Sequence, residues 1–64
     1  MELYVNGKLA QKGQEVTTFR GEKAILTGWK EPRKTSSTGK VYITKIKTGY
    51  EGEYYPSVIN AKFQ

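Results

Sequence analysis

Six of the chain's eleven cations, Lys30, Arg33, Lys34, Lys40, Lys45 and Lys47, fall between residues 30 and 47, with Glu31 as the one acid among them. These side chains pair with phosphate or carboxylate oxygens, Arg33 as a two-pronged donor and the lysines as point charges. Ser36, Ser37 and Thr38 stand between them, and such hydroxyls can donate to phosphate oxygens. Gly39 lets the backbone come close to a ligand. Two aromatic residues frame the cations: Trp29 at the start of the stretch, and Tyr42 between Lys40 and Thr44 on one face of the following segment. Cations interleaved with aromatic faces suit a nucleic-acid surface, where each stacked base contributes ~1–3 kcal/mol by alanine substitution.

The same residues also have plainer uses. In a small β-protein Trp29 and Tyr42 can fill the core or its edge. Lys45 and Lys47 flank Ile46, as charges do when they keep an edge strand from pairing with another chain. A nucleic-acid surface, a solubility device and a charged protein contact all fit this segment. The distribution of charge favours the first. Residues 1–29 carry a net +1 and residues 48–64 a net −1, so the chain's whole excess of +5 sits in 30–47. An excess of that density favours anionic partners and fast, electrostatically steered encounter.

Tyr50, Tyr54 and Tyr55 make a second aromatic group, beside Glu51 and Glu53. Tyrosines among acids suit a protein interface, where aromatic residues act as anchors. Strand alternation puts Tyr54 and Tyr55 on opposite faces, one toward the core and one toward solvent.

Catalysis is not expected. The chain has no histidine and no cysteine, which removes the usual general base at neutral pH and the thiolate nucleophile. Glu51 and Glu53 form the closest acid pair, and two carboxylates fall short of the six or more oxygens of a hard-ion site. "SSTGK" has the letters of a phosphate loop but lacks its first glycine and a following helix. No metal, no cofactor and no enzymatic activity are expected; the chain should act by binding.

At 64 residues the chain is read as one domain, residues 1–64, small enough to bury only about 60% of its unfolded surface. "ELYVNGKLA" reads as a hairpin turned at Asn6-Gly7. "VTTF" reads as a short strand or extended arm. "KAILTGW" has apolar residues on both alternating sets, Ala24 with Leu26 and Ile25 with Trp29, and Gly28 marks a bulge or bend. "VYITKIK" is the clearest strand, with Val41 and Ile43 on one face. "YY" is a brief strand, "PSVIN" a proline-led 3-10 turn and "AKF" a closing strand. No window has helical periodicity. Five to six short strands are expected in an all-β small barrel. No apolar run approaches the roughly 20 residues of a membrane span. The opening "MELYVNGKLA" lacks the basic start and apolar run of a secretion signal, so a soluble cytoplasmic protein without membrane contact is expected, its oligomeric state left open.

"EGEYYPSVINAKF" resembles the end of an SH3-type barrel, in which a glycine-flanked aromatic strand runs into a proline-led 3-10 turn and a last strand. Gly52, Tyr54, Tyr55, Pro56, Ser57, Val58 and Ile59 carry that likeness. "RGEKAILTGW" is similar to the strand after the glycine turn in SH3-like and KOW-type barrels. The wider pattern of "LTGW", "SSTG", "VYI" and "YYPSVINAKF" looks like short phage-encoded proteins. The resemblance implies a single SH3-like barrel. Peptide-binding SH3 domains hold the Arg or Lys of a proline-rich ligand with an acidic loop. Here the loop after Trp29 is basic, and "ELYVNG" replaces the "ALYDY"-type motif, so binding of proline-rich peptides is not implied. The expected function is weakly sequence-selective, electrostatic nucleic-acid binding through Trp29, Lys30, Arg33, Lys34, Lys40, Tyr42, Lys45 and Lys47. The alternative is a protein-interaction module, a phage-type effector docking on an acidic host protein through the loop or through Tyr50, Tyr54 and Tyr55.

Overall fold

The computed structural model describes residues 1–34 and 38–64. Asn6 and Gly7 both take positive φ, 53° and 81°, as a two-residue type I′ hairpin requires. They turn β1 (Leu3–Val5) into β2 (Lys8–Leu9), with Val5 opposite Lys8 and Tyr4 opposite Leu9. On its other side β1 pairs antiparallel with β7 (Ala61–Phe63), giving a three-stranded sheet in the order β2-β1-β7.

The second sheet is a meander. β3 (Glu15–Thr17), β4 (Lys23–Lys30), β5 (Lys40–Lys45) and β6 (Glu51–Tyr54) pair antiparallel in chain order. A 3-10 turn, Pro56–Ile59, leads from β6 to β7, started by the preset φ of Pro56 and closed by Asn60 in the left-handed region at φ 54°. The Asn60 amide donates to Asn6 Oδ1 at 2.6 Å, and the Asn6 N–H donates to the Asn60 carbonyl at 3.0 Å. The end of the 3-10 turn is thereby tied to the first hairpin.

Period-two alternation puts Ala24, Leu26, Val41 and Ile43 on one face of the meander, and none of the four has solvent exposure. Leu3, Val5, Val16, Ile59 and Ala61 complete the core against them. Burial of each Val, Leu or Ile there is worth ~1.5–3 kcal/mol. Thr18 is a buried polar residue, and its hydroxyl accepts from the Glu22 N–H at 3.2 Å.

The fold is all-β, with no α-helix among the described residues. Among the described residues strand pairing gives two antiparallel sheets and no closed barrel. Among the described residues seven strands form where the sequence reading expects five to six, the short Lys8–Leu9 and Glu15–Thr17 both pairing. No helix is long and apolar enough to cross a membrane among the described residues.

At Gly28 the expected bulge is present: the β4–β5 register shifts between Leu26 and Gly28. The Thr27 hydroxyl donates to the Tyr42 carbonyl at 3.0 Å across it. An extra residue in one strand reverses the alternation beyond it. Trp29 therefore stands opposite Val41 and packs against the core, instead of sharing a face with Ile25.

Candidate nucleic-acid interface

Lys30 closes β4, Lys40 opens β5, and the two stand directly opposite each other where the basic loop leaves the sheet. Like charges so placed destabilise a sheet, on the order of 0.2–1 kcal/mol.

Pro56 supplies the next member of this row. A residue before proline is held out of the helical region, and Tyr55 is extended, at φ −67° and ψ 145°. It therefore continues the alternation of β6 one step past Tyr54, which faces Val41, and comes to the side of β5 that carries Lys40. Lys40 Nζ lies 3.7 Å from the centroid of the Tyr55 ring, well inside the ~6 Å range of a cation–π contact. Tyr55 keeps 59% of its surface exposed. Lys30, Lys40 and Tyr55 thus cross the end of the meander as one row.

Arg33 and Lys34 are exposed and line a hollow with Lys30 and Lys40. Glu31 and Glu53 line it as well, so four cations share it with two carboxylates. Tyr55 also lines an open groove with Pro56, Pro32, Phe63 and Lys62, together with the hydroxyl residues Thr38 and Ser57. Lys40 lines the hollow and Tyr55 the groove, so the contact between these two side chains joins them.

Lys45 and Lys47 lie elsewhere. An offset of five residues puts Lys45 on the opposite face of β5 from Lys40, across from Ala24, and roughly 17 Å along the strand. Its Nζ is 3.4 Å from Glu22 Oε1 and 6.0 Å from the Tyr54 ring centroid. Lys47 follows β5 in the turn and borders a separate hollow with Lys23, Lys45 and Ile46.

The aromatic candidates also separate. Trp29 is half-buried on the core side, with Lys12 Nζ 5.9 Å from its ring. Tyr42 shares the face of Lys40 but lies across Gly28, its Cδ2 3.6 Å from where a β-carbon would stand, which leaves it half-buried. Tyr50 and Tyr54 close over Gly52 from the same side, their Cε2 atoms 3.0 and 2.9 Å from its β-carbon position. Tyr54 packs against the core, and Tyr50 is 60% exposed. Ser36 and Ser37 lie outside the described residues, whereas Thr38 is exposed.

Sequence reasoning grouped Tyr55 with Tyr50 and Tyr54 because they are neighbours in the chain, and so missed its place beside Lys40. The Tyr-Pro step was the available signal, since it keeps Tyr55 extended and carries β6 one residue further. Phe63 and Lys62 reach the same end of the molecule through the pairing of β7 with β1, which local sequence does not reveal. No group of three acids able to hold a metal ion occurs among the described residues.

No protein-family model, curated protein or solved structure matches this chain.

Proposed function

We propose that this protein is a small nucleic-acid-associated binding protein that uses Lys30, Arg33, Lys34 and Lys40 for phosphates, with Tyr55 beside them. The observation that carries this reading is Lys40 Nζ at 3.7 Å from the Tyr55 ring centroid, with Lys30 directly across the strand pair. A cation for a phosphate and an exposed aromatic face for a base stand within one side chain's reach of each other. The facing lysines add support, because an anion between them relieves a repulsion that the free protein otherwise retains. Phosphate contacts position a ligand without reading its sequence, so binding is weakly selective. Lys45 and Lys47 contribute through the long-range field only.

The fold reading that goes with this function is SH3-like. The β4–β6 meander, the 3-10 turn led by Pro56 and the return of β7 to β1 support it, although strand pairing stops short of closing a barrel.

A second reading, docking on an acidic protein partner, draws on the other end of the meander. Phe19 is 75% exposed and Ile46 51% exposed, and both border hollows that Lys45 lines.

Titration of fluorescent single- and double-stranded oligonucleotides at about 50 mM and about 200 mM salt tests the first reading. Four phosphate contacts give a log–log salt slope near −3, from ~0.7 to ~0.9 ion per contact. Absence of binding at the lower salt, or binding indifferent to salt, rejects it and leaves the protein partner.

A further inference from the structure

The groove beyond Tyr55 is unused by a surface that only holds phosphates. It is lined by rings and apolar carbons, Tyr55, Pro56, Pro32 and Phe63, and by the cation Lys62, while Lys40 of the neighbouring hollow touches its Tyr55 ring. A purely anionic ligand gains nothing from the rings, and a purely apolar ligand gains nothing from the cations. A flat, apolar-faced group joined to an anion uses both, and that is the chemistry of an unpaired nucleotide in a strand. Lys40 lies over the Tyr55 ring, and Tyr55 itself lines the groove. Thr38 and Ser57 also line the groove and supply hydroxyls able to hydrogen-bond the polar edge of a base.

From this charge and shape complementarity, and resting on the nucleic-acid reading above, we infer that the ligand is single-stranded and that one base leaves the strand to lie in the groove against Tyr55 and Phe63. Bases inside a duplex have no free faces and cannot enter. The groove is therefore a selector for single strands, and the cations are its entry field. Stacking strength sets what preference exists among bases, since every base has a π-face.

Three probes of equal length separate the possibilities: oligothymidylate, its duplex with oligoadenylate, which carries twice the phosphates and on charge alone binds at least as well, and an abasic deoxyribose-phosphate strand. They are titrated at fixed moderate salt against the full chain and against Tyr55→Ala and Tyr55→Phe. Tyr55 is an exposed side chain, so both variants are expected to keep the native circular dichroism and melting transition. The expected result is tightest binding to oligothymidylate, with Tyr55→Ala weakening it between about 5-fold and about 150-fold, the range of one lost base stack. Tyr55→Phe retains the ring and keeps the affinity. The abasic strand binds both variants and the unsubstituted chain alike. Equal affinity for all three probes, unmoved by Tyr55→Ala, overturns the inference while leaving phosphate binding intact. Failure of every probe to bind at low salt overturns the underlying reading itself.

Discussion

Phe63 fills the space that a side chain on Gly39 would need. Its Cε2 lies 2.6 Å from the β-carbon position of Gly39, and the Lys30 carbonyl oxygen lies 2.7 Å from the same point. Gly39 also sits at φ +76°, in the left-handed region that L side chains avoid. The exit of the basic loop is thereby pressed onto β7. This contact holds the cations Lys30 and Lys40 in fixed relation to the groove that Phe63 lines.

Gly39→Ala is expected to destabilise the fold by more than the ~1–2 kcal/mol that a left-handed backbone alone costs an L residue. Gly49→Ala is the control: Gly49 is also left-handed, at φ +73°, but has nothing within 4 Å of its β-carbon position. Urea denaturation should show the larger loss for Gly39→Ala. Combining it with Phe63→Ala should give a total loss smaller than the sum of the two, because they share one space. Equal losses for the two glycines contradict the close packing.

Lys30→Thr removes half of a like-charged cross-strand pair and adds a β-branched residue at the end of β4. Stability is expected to rise by about 0.2–1 kcal/mol, and the slope of log affinity against log salt to flatten by about 0.7–0.9. Melting temperature and oligonucleotide titration measure the two effects. A loss of stability means that Lys30 has a structural partner this account does not assign.

The double change Lys45→Ser with Lys47→Ser tests the division of the cations. Lys45 lies roughly 17 Å from Lys40 along β5 and Lys47 follows it in the turn, a separation beyond the Debye length of about 8–10 Å at moderate salt. Oligonucleotide affinity at about 200 mM salt should stay within about twofold of the unsubstituted chain. The matching double change at Lys30 and Lys40 should abolish most of the binding. Comparable losses for both pairs show that the whole basic segment acts as one surface.

Asn60→Ala is expected to cost more than Asn60→Gly. Alanine loses both the hydrogen bond to Asn6 and the easy left-handed φ of 54°, whereas glycine loses only the bond. Backbone strain contributes ~1–2 kcal/mol and the hydrogen bond ~0.5–1.5 kcal/mol. Denaturant midpoints of the two variants decide it; equal values mean that the turn does not depend on the left-handed cap.

Local signals carried much of the architecture. Asn6-Gly7 names its turn, Val41 and Ile43 name a buried face, and Pro56 names the 3-10 turn. Gly28 marked the bulge, but alternation counted straight through it put Trp29 beside Ile25, whereas the bulge turns Trp29 toward Val41. The odd offset between Lys40 and Lys45 was readable as a change of face, yet a count of charge by segment merged them. The site itself was half legible. Lys30, Arg33, Lys34 and Lys40 are adjacent in sequence and in space, while Tyr55 and Phe63 join them only through the pairing of β5 with β6 and of β7 with β1. Cross-strand register is a long-range property, and a local pattern does not contain it.

The most direct test of the central claim is backbone amide chemical-shift mapping of the labelled protein during titration with oligothymidylate at low salt. The largest shifts are expected at Lys30, Arg33, Lys34, Gly39, Lys40, Tyr55 and Phe63, with baseline shifts from Lys45 to Thr48. Shifts centred on Phe19, Ile46, Lys47 and Tyr50, or spread evenly over the surface, contradict it.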